Sequence, residues 1–372
     1  MNDLDRRIGE SLKEVSQALR QSRAARAVSA HAEFRRRLRR RRVTRIASLA
    51  TSVAVLGAAA AIAATIGGDL FGGTKRDGSV PAPPAGTYIR VGADPVGVSV
   101  EGDTIWVASS KGTITRVNGS TNRSDIVINV GGEPTDVALT EGTVWYADAA
   151  DGTVKRLGMA TPENFIGTPL AIGSQGVHID VDVGTKGVVW TTSPDFGALV
   201  AIDPETGSEL RKILVASPVE LAIAPGSIWA LADDGATLVR YDFADGAETE
   251  ALRVAVGDAV KTDMAAGPSG VYVAEAGGGV LRIDPATGEI TERTNVGGTN
   301  PELALGDGAL WVASDLEGVD AEVLRLDLTE LSPLGKTRTF VGAPTDLAIG
   351  DDAVWISDTG RETVVRIKAA RR

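Results

Sequence analysis

The chain has 372 residues, no cysteine, two histidines and a net charge of −11 at pH 7. Without cysteine it forms no disulfide and carries no thiolate nucleophile, and two histidines cannot supply a histidine cluster for a metal centre. The acidic balance argues against nucleic acid as a partner, because phosphate backbones are bound by basic surfaces.

The N-terminal segment, residues 1–45, is basic and predicts a short amphipathic helix. Apolar residues recur there every three or four positions, at Leu4, Ile8, Leu12, Val15 and Leu19. This spacing places them on one helical face. The segment has a net charge of +9, which leaves −20 for the rest of the chain. Two interpretations fit the helix: it lies on the membrane surface or self-associates, or it docks a cytoplasmic partner.

Residues 46–68 predict a transmembrane helix, because they contain no charged residue and about 20 apolar residues span a bilayer. The preceding residues 35–45 include eight arginines among eleven, and basic residues beside a span stay in the cytoplasm. We therefore expect a single-pass protein of the cell membrane with a cytoplasmic N-terminus and an extracytoplasmic remainder. The alternative is a cleaved export signal, against which stand the long basic region and the long apolar stretch.

Residues 69–87 predict a partly stiff Gly/Pro spacer, and residues 88–372 predict an all-β domain of seven repeats. Each repeat contains a turn, an apolar run, a Gly-containing turn and then an aromatic residue followed by small residues. The aromatic residues are spaced 39 to 45 positions apart, a period typical of one four-stranded propeller blade. They are Trp106, Trp145, Trp190, Trp229, Tyr272, Trp311 and Trp355. The sequence therefore predicts a seven-bladed β-propeller.

The ends of the array predict how the ring closes. In the second repeat, residues 135–139, 144–147 and 153–157 read as the first three strands, separated by Gly-containing turns. The last repeat stops after its third strand, at residues 363–367, and residues 88–91 match an outer strand that lacks the other three. We expect the N-terminal strand to complete the last blade, which would hide two exposed sheet edges.

Three phrases of the repeat are shared with known bacterial propellers: GAPTDLAI at 342–349, AVWI at 353–356 and VLRIDP at 280–285. They resemble the YVTN-type β-propeller repeats and the related streptogramin (virginiamycin B) lyase-like propellers. The resemblance covers residues 88–372 and implies the fold. The lyase branch also implies histidine, carboxylate and a magnesium ion, and of these histidines the propeller contains only His178.

One column of acidic residues lies nine positions before the aromatic residue, on the predicted innermost strand. Gly97 takes this position in the first repeat, and the third repeat needs one inserted residue to align. Innermost strands line the central channel of a propeller, so we expect a ring of negative charge there. A divalent cation or a cationic ligand would relieve the repulsion within the ring. The predicted ligand-binding residues are Asp136, Asp180, Glu220, Asp263, Glu302 and Asp346.

A column of arginines on the third strand offers a structural alternative. An arginine fork suits a carboxylate, so the two columns could pair as bridges within or between blades. The acids Asp148, Glu275 and Asp358, each three residues after its aromatic residue, are alternative acceptors. The arginine column consists of Arg116, Arg156, Arg240, Arg282, Arg325 and Arg366, with Ala201 in the third repeat.

The predicted function is that of a membrane-anchored module that binds a protein or a cationic ligand on one face of the propeller. This face carries the blade-to-blade connections and the turns between second and third strands. Its acids include Asp94, Glu133, Asp148, Asp151, Asp233, Asp234, Asp315 and Asp358. Two alternatives remain: an envelope sensor that signals through the N-terminal helix, and a propeller enzyme of lyase or lactonase type. No cofactor is identified from the sequence.

Overall fold

The structure is a computed structural model that describes residues 86–173, 181–183, 187–244, 247–316, 320–335 and 338–369. The predicted N-terminal helix, the predicted membrane span at 46–68 and nearly all of the spacer lie outside these ranges. Among the residues that are described, none form a helix of the length and apolarity that crossing a bilayer requires.

The described chain folds into antiparallel β-strands that form seven four-stranded sheets, the blades. The strands of the first half are β1 Thr87–Arg90, β2 Pro95–Glu101, β3 Thr104–Ser109, β4 Thr113–Asn118, β5 Arg123–Asn129, β6 Pro134–Thr140, β7 Thr143–Asp148, β8 Thr153–Gly158, β9 Leu170–Ala171, β10 Val181–Val183, β11 Val189–Ser193, β12 Ala198–Ile202, β13 Glu209–Leu214 and β14 Glu220–Ala224. Those of the second half are β15 Ser227–Ala232, β16 Thr237–Ala244, β17 Ala247–Ala255, β18 Lys261–Gly267, β19 Gly270–Glu275, β20 Gly279–Ile283, β21 Ile290–Asn295, β22 Thr299–Gly306, β23 Ala309–Asp315, β24 Asp320–Leu326, β25 Arg338–Val341, β26 Pro344–Ile349, β27 Ala353–Asp358 and β28 Thr363–Lys368. A 3₁₀ turn, Asp233–Gly235, joins β15 to β16.

Blades 1 to 6 are consecutive sets of four strands, from β2–β5 to β22–β25, whereas blade 7 takes strands from both ends of the chain. Its order is β1, β28, β27, β26, with Thr87 paired to Arg366 and Arg90 paired to Thr363. The predicted seven-bladed ring and its closure by the N-terminal strand are both confirmed.

The core consists of apolar layers between neighbouring blades rather than one central cluster. Between blades 4 and 5, for example, Trp229 and Leu238 of one blade pack with Met264, Val271 and Leu281 of the next. All seven repeat aromatics are at most 2% exposed, so each anchors its blade in such a layer. Burial of a residue this large contributes several kcal/mol, which explains why every tryptophan occupies this position.

The ring has two faces, which the direction of the strands defines. The first strand of each blade starts at the turn face, which carries the blade-to-blade connections and the turns between second and third strands. The hairpin face carries the other turns. Because β28 runs from the turn face to the hairpin face and β1 is antiparallel to it, the propeller begins at the hairpin face. It also ends there, where Ala369 N–H donates to the carbonyl of Asp352.

Candidate functional site: the central channel and the turn face

The acidic column lines a central cavity of about 440 Å³, formed by the innermost strands. In five of the blades a β-bulge precedes the acidic position or Gly97, as between Pro134 and Asp136 or between Pro344 and Asp346. The extra residue of a bulge re-aims the side chain that follows it. Five of the predicted acids line the cavity, Asp136, Glu220, Asp263, Glu302 and Asp346, whereas Asp180 lies outside the described residues.

The carboxylates of this column accept backbone hydrogen bonds that join neighbouring blades. Asp346 Oδ1 accepts from Leu347 N–H at 2.7 Å, and its Oδ2 accepts from Val98 N–H of blade 1 at 2.6 Å. Asp263 repeats the arrangement, with Met264 N–H at 2.7 Å and Leu303 N–H of blade 6 at 2.5 Å. Each of these two carboxylates therefore ties its own inner strand to the next one around the channel.

Gly97 is the one exception in the aligned column, and the structure explains it. A Cβ at this position would lie 3.0 Å from the Asp136 Cα and 3.1 Å from its Oδ1. The inner strand of blade 2 thus approaches the backbone of blade 1 too closely for a side chain. In the same region Asp136 Oδ1 accepts from Val137 N–H at 2.8 Å.

The cavity has the size of a small-molecule site. Nowhere in the described ranges do three or more acidic or histidine side chains converge in a way that could hold a metal. A volume of about 440 Å³ lies within the range of small-molecule sites. Its wall alternates carboxylates with apolar side chains such as Leu139, Leu221 and Leu303. Binding of a cation by the column stays a prediction.

The prediction that arginines bridge to the acidic column was wrong. Instead, five of the six arginines lie over the tryptophan of their own blade, with the guanidinium carbon 4.9 to 6.0 Å from the ring centroid. Three of them pair with acids away from the channel: Arg116 with Asp125, Arg240 with Asp242 and Arg366 with Asp352. The proposed alternative acceptors Asp148, Glu275 and Asp358 do not bind these arginines either.

Three of the six column arginines, Arg156, Arg240 and Arg282, connect their blade to the next through backbone carbonyls at the hairpin face. Arg156 donates to Glu205 O at 2.9 Å and to Thr206 O at 2.7 Å in the third-to-fourth turn of blade 3. Arg240 reaches Pro285 O at 2.7 Å in the same turn of blade 5. The partner is the backbone of a neighbouring turn, so no residue type in the sequence signals it.

In blade 3, an arginine from another strand replaces the missing arginine of the column. Ala201 occupies the column position, but its cross-strand neighbour is Arg211 of β13. The guanidinium carbon of Arg211 lies 5.8 Å from the Trp190 ring centroid. The arginine–tryptophan contact is thus kept although the repeat pattern is broken.

The turn face carries more acidic than basic side chains, but two of the predicted docking acids are unavailable. Asp148 and Asp358 are fully buried, so their assignment to a docking surface was wrong. Asp148 accepts from Glu133 N–H at 2.8 Å and from Lys155 Nζ at 2.6 Å. Described acids with exposed or half-exposed side chains remain on this face, namely Asp94, Glu133, Asp151, Asp233, Asp234 and Asp315.

The remaining turn-face acids differ in how their charge is balanced. Asp94 pairs with Lys111 at 3.3 Å, and Asp233 lies 3.6 Å from Arg253. Asp234 has one buried carboxylate oxygen without a hydrogen-bond partner. Burial and the neighbouring Asp233 raise the pKa of Asp234 to about 6. Asp233 and Asp234 thus bring two acidic side chains together in one turn of blade 4.

Comparisons with known proteins support the fold. No protein-family model matches the chain, and no curated protein matches it in sequence. Among solved structures, virginiamycin B lyase from Staphylococcus aureus is similar with a TM-score of 0.60 and 14% identity, covering 75% of this chain and 96% of the lyase. A streptogramin B lyase has a TM-score of 0.61 and 12% identity, covering 76% of this chain and 97% of its own.

Hydrazine synthase from Kuenenia stuttgartiensis is equally similar, with a TM-score of 0.60 and 15% identity over 80% of this chain and 99% of that one. Structures with unrelated titles therefore share this architecture, and at such identities the likeness concerns the fold. The chain is a seven-bladed β-propeller that is structurally similar to the streptogramin lyases.

Proposed function

We propose that this protein is a membrane-anchored, extracytoplasmic propeller that binds a protein or a cationic ligand on its turn face. Residues 46–68 serve as the anchor, and the N-terminus lies in the cytoplasm. The observation that carries the proposal is the position of the chain ends. The described propeller starts and ends at the hairpin face, so an anchor that precedes it leaves the turn face directed away from the membrane.

The length of the spacer supports this orientation. The spacer predicted at 69–87 contains only 19 residues. The hairpin face would then lie close to the lipid, and the turn face would be the surface that a partner from outside can reach.

The acids on the two faces also differ in their hydrogen bonding. At the hairpin face, Asp203, Asp284 and Asp327 each accept two backbone N–H groups within their own turns.

The chemistry of the turn face favours a cationic partner. In the described connections of this face, acids such as Glu133, Asp151 and Asp258 outnumber the bases Lys111 and Arg361. A surface with one predominant sign steers partners of the opposite sign toward it. The carboxylates of the central cavity lie within the first four residues of the innermost strands, which begin at the turn face, so they add to its negative potential.

The proposal is tested by titrating a hexalysine peptide into the purified full-length protein at low and high salt. The variant Glu133→Gln/Asp151→Asn/Asp233→Asn removes three charges from the turn face. The matched control Glu101→Gln/Glu141→Gln/Glu163→Gln removes three from exposed positions of the hairpin face.

We expect the turn-face variant to lose at least tenfold in affinity at low salt, because each lost contact costs about 1 kcal/mol. The hairpin-face control should bind almost as the wild type. Equal loss in both variants would mean that only the net charge matters and would contradict the proposal. Crosslinking in intact membranes with the same two variants tests for a protein partner, which should be lost with the turn-face variant alone.

A further inference from the structure

We propose that blade 7 is a proton-responsive latch, in which proton uptake by Asp358 tightens the closure of the ring and proton release loosens it. This property is independent of the partner proposed above. It follows from the burial of the Asp358 carboxylate and from the lack of a lysine partner such as its counterpart in blade 2 has.

Asp358 is the last residue of β27 and is fully buried. Its Oδ1 accepts from Ala343 N–H at 2.7 Å and from Gly360 N–H at 2.9 Å. Its Oδ2 lies 3.3 Å from the Thr363 hydroxyl. The carboxylate therefore joins the connection from blade 6 to the turn that leads into β28.

The equivalent residue of blade 2, Asp148, has the same backbone contacts but a different charge environment. Its Oδ2 lies 2.6 Å from Lys155 Nζ, and this lysine also pairs with Asp151. Lys155 stands opposite Tyr146, two residues before Asp148. The corresponding position of blade 7, opposite Ile356, is Val365. Asp148 and Asp358 are thus equivalent buried aspartates, but Asp358 lacks the lysine counter-ion that Asp148 has.

This environment disfavours the charged form of Asp358. Burial raises its pKa to about 6, against the lowering effects of the two backbone N–H groups, Thr363 and the Arg361 charge. The charge of Arg361, in the turn before β28, lowers the pKa of the carboxyl. A protonated Oδ2 can donate to the Thr363 hydroxyl while Oδ1 keeps both backbone bonds. The neutral form therefore satisfies every contact at no charge-burial cost.

The carboxyl is coupled to the ring closure through Thr363. This residue is paired with Asp358 on one side and with Arg90 of β1 on the other. The next turn also holds the end of β1, because Val91 N–H donates to Glu362 O at 3.2 Å. Opening the pairing of β1 and β28 exposes this region to water, where an aspartate has its ordinary pKa near 4.

The sign of the effect follows from linkage. A carboxyl whose pKa is raised in the closed state binds more protons when closed, so closure is weakest above pH 6 and strengthens as the pH falls toward 4. With a pKa of about 6 closed and about 4 open, the closed-to-open ratio should rise about tenfold between pH 7.5 and pH 5.

The test is hydrogen exchange of the β1 backbone amides in the full-length protein at pH 5 and pH 7.5, expressed as protection factors. We expect about a tenfold rise in wild-type protection at pH 5. Asp358→Asn keeps both acceptor contacts at Oδ1 and can donate to Thr363, so its protection should be high and equal at both pH values. Val365→Lys supplies the missing counter-ion and should also flatten the response.

Asp148→Asn is the matched control. It removes one of the two carboxylate partners of Lys155 in blade 2 and should lower stability there without changing the pH response of β1. The proposal is overturned if Asp358→Asn shows the wild-type rise on acidification, or if it lowers β1 protection at both pH values. Either result would mean that the carboxylate is needed in its charged form or does not control closure.

Discussion

Replacing Asp346 by Asn separates the structural role of the channel acids from a purely electrostatic one. Asp346 uses both oxygens, one for Leu347 N–H and one for Val98 N–H of the next blade. An amide has only one oxygen, so one of the two N–H groups would face an NH₂ group. Losing a hydrogen bond to a charged acceptor costs about 1.5–3 kcal/mol, and a stranded buried donor adds about 1 kcal/mol or more.

The opposing effect is smaller. Removing one charge from the column relieves repulsion between carboxylates, which is worth about 1 kcal/mol per pair at the screening of bulk water. We therefore expect Asp346→Asn to destabilise the propeller by about 2–3 kcal/mol. For a domain of this size that corresponds to a fall in melting temperature of roughly 3–5 °C.

The assay is thermal and urea unfolding of the full-length protein, with Asp94→Asn as the control. Asp94 has the same charge but forms an exposed pair with Lys111, so its loss should cost less than about 1 kcal/mol. A neutral or stabilising Asp346→Asn would refute the reasoning. It would show that repulsion between the column carboxylates outweighs their hydrogen bonds, as expected of acids whose role is to bind a ligand.

Three further predictions concern contacts between or within blades. Gly207→Ala should lower the free energy of unfolding in urea by about 3 kcal/mol, because a Cβ would lie 2.6 Å from the Arg156 guanidinium carbon at a φ of +75°. The control Gly226→Ala, with a φ of +80° and open space around the Cβ, should lower it by only about 1 kcal/mol. Arg156→Lys should cost about 2–4 kcal/mol in the same assay, since one ammonium cannot reach four carbonyls, and an unchanged midpoint would contradict the connecting role. The Arg116 hydrogen bond lowers the pKa of Asp125, so Asp125→Asn should destabilise by less than about 1 kcal/mol at pH 7 and converge with the wild type as the pH falls below 4.

The repeat period and the unmatched ends of the array were enough to predict the fold. Trp106 and its six counterparts recur because each fills one layer between blades. The single strand at 88–91 had no blade of its own, and the last repeat lacked its outer strand, so the two were predicted to pair. Both signals can be recognised from the position of a residue within the repeat. The inward position of Asp136 and its counterparts was also predictable, since it depends only on the place of a residue within the repeat.

The partners of these residues were not predictable, because they come from the neighbouring blade. Asp346 and Arg156 bind backbone groups, which carry no residue signature, and a β-bulge decides where the Asp346 carboxylate points. Arg211 replaces the missing arginine of blade 3 only through its cross-strand register. Two buried aspartates, Asp148 and Asp358, were mistaken for surface acids because turn sequences alone do not show which side chain folds back beneath its turn.

The closure of blade 7 has a consequence for biosynthesis. Strand β1 is the first part of the propeller to leave the ribosome, and its partner β28 is the last, more than 270 residues later. Contacts this distant in sequence form slowly. During synthesis β1 has an unpaired edge while the six complete blades form after it, so the period of exposure to proteolysis or misassembly ends only when the final strand is made. A chain shortened by its last ten residues would keep that edge exposed permanently.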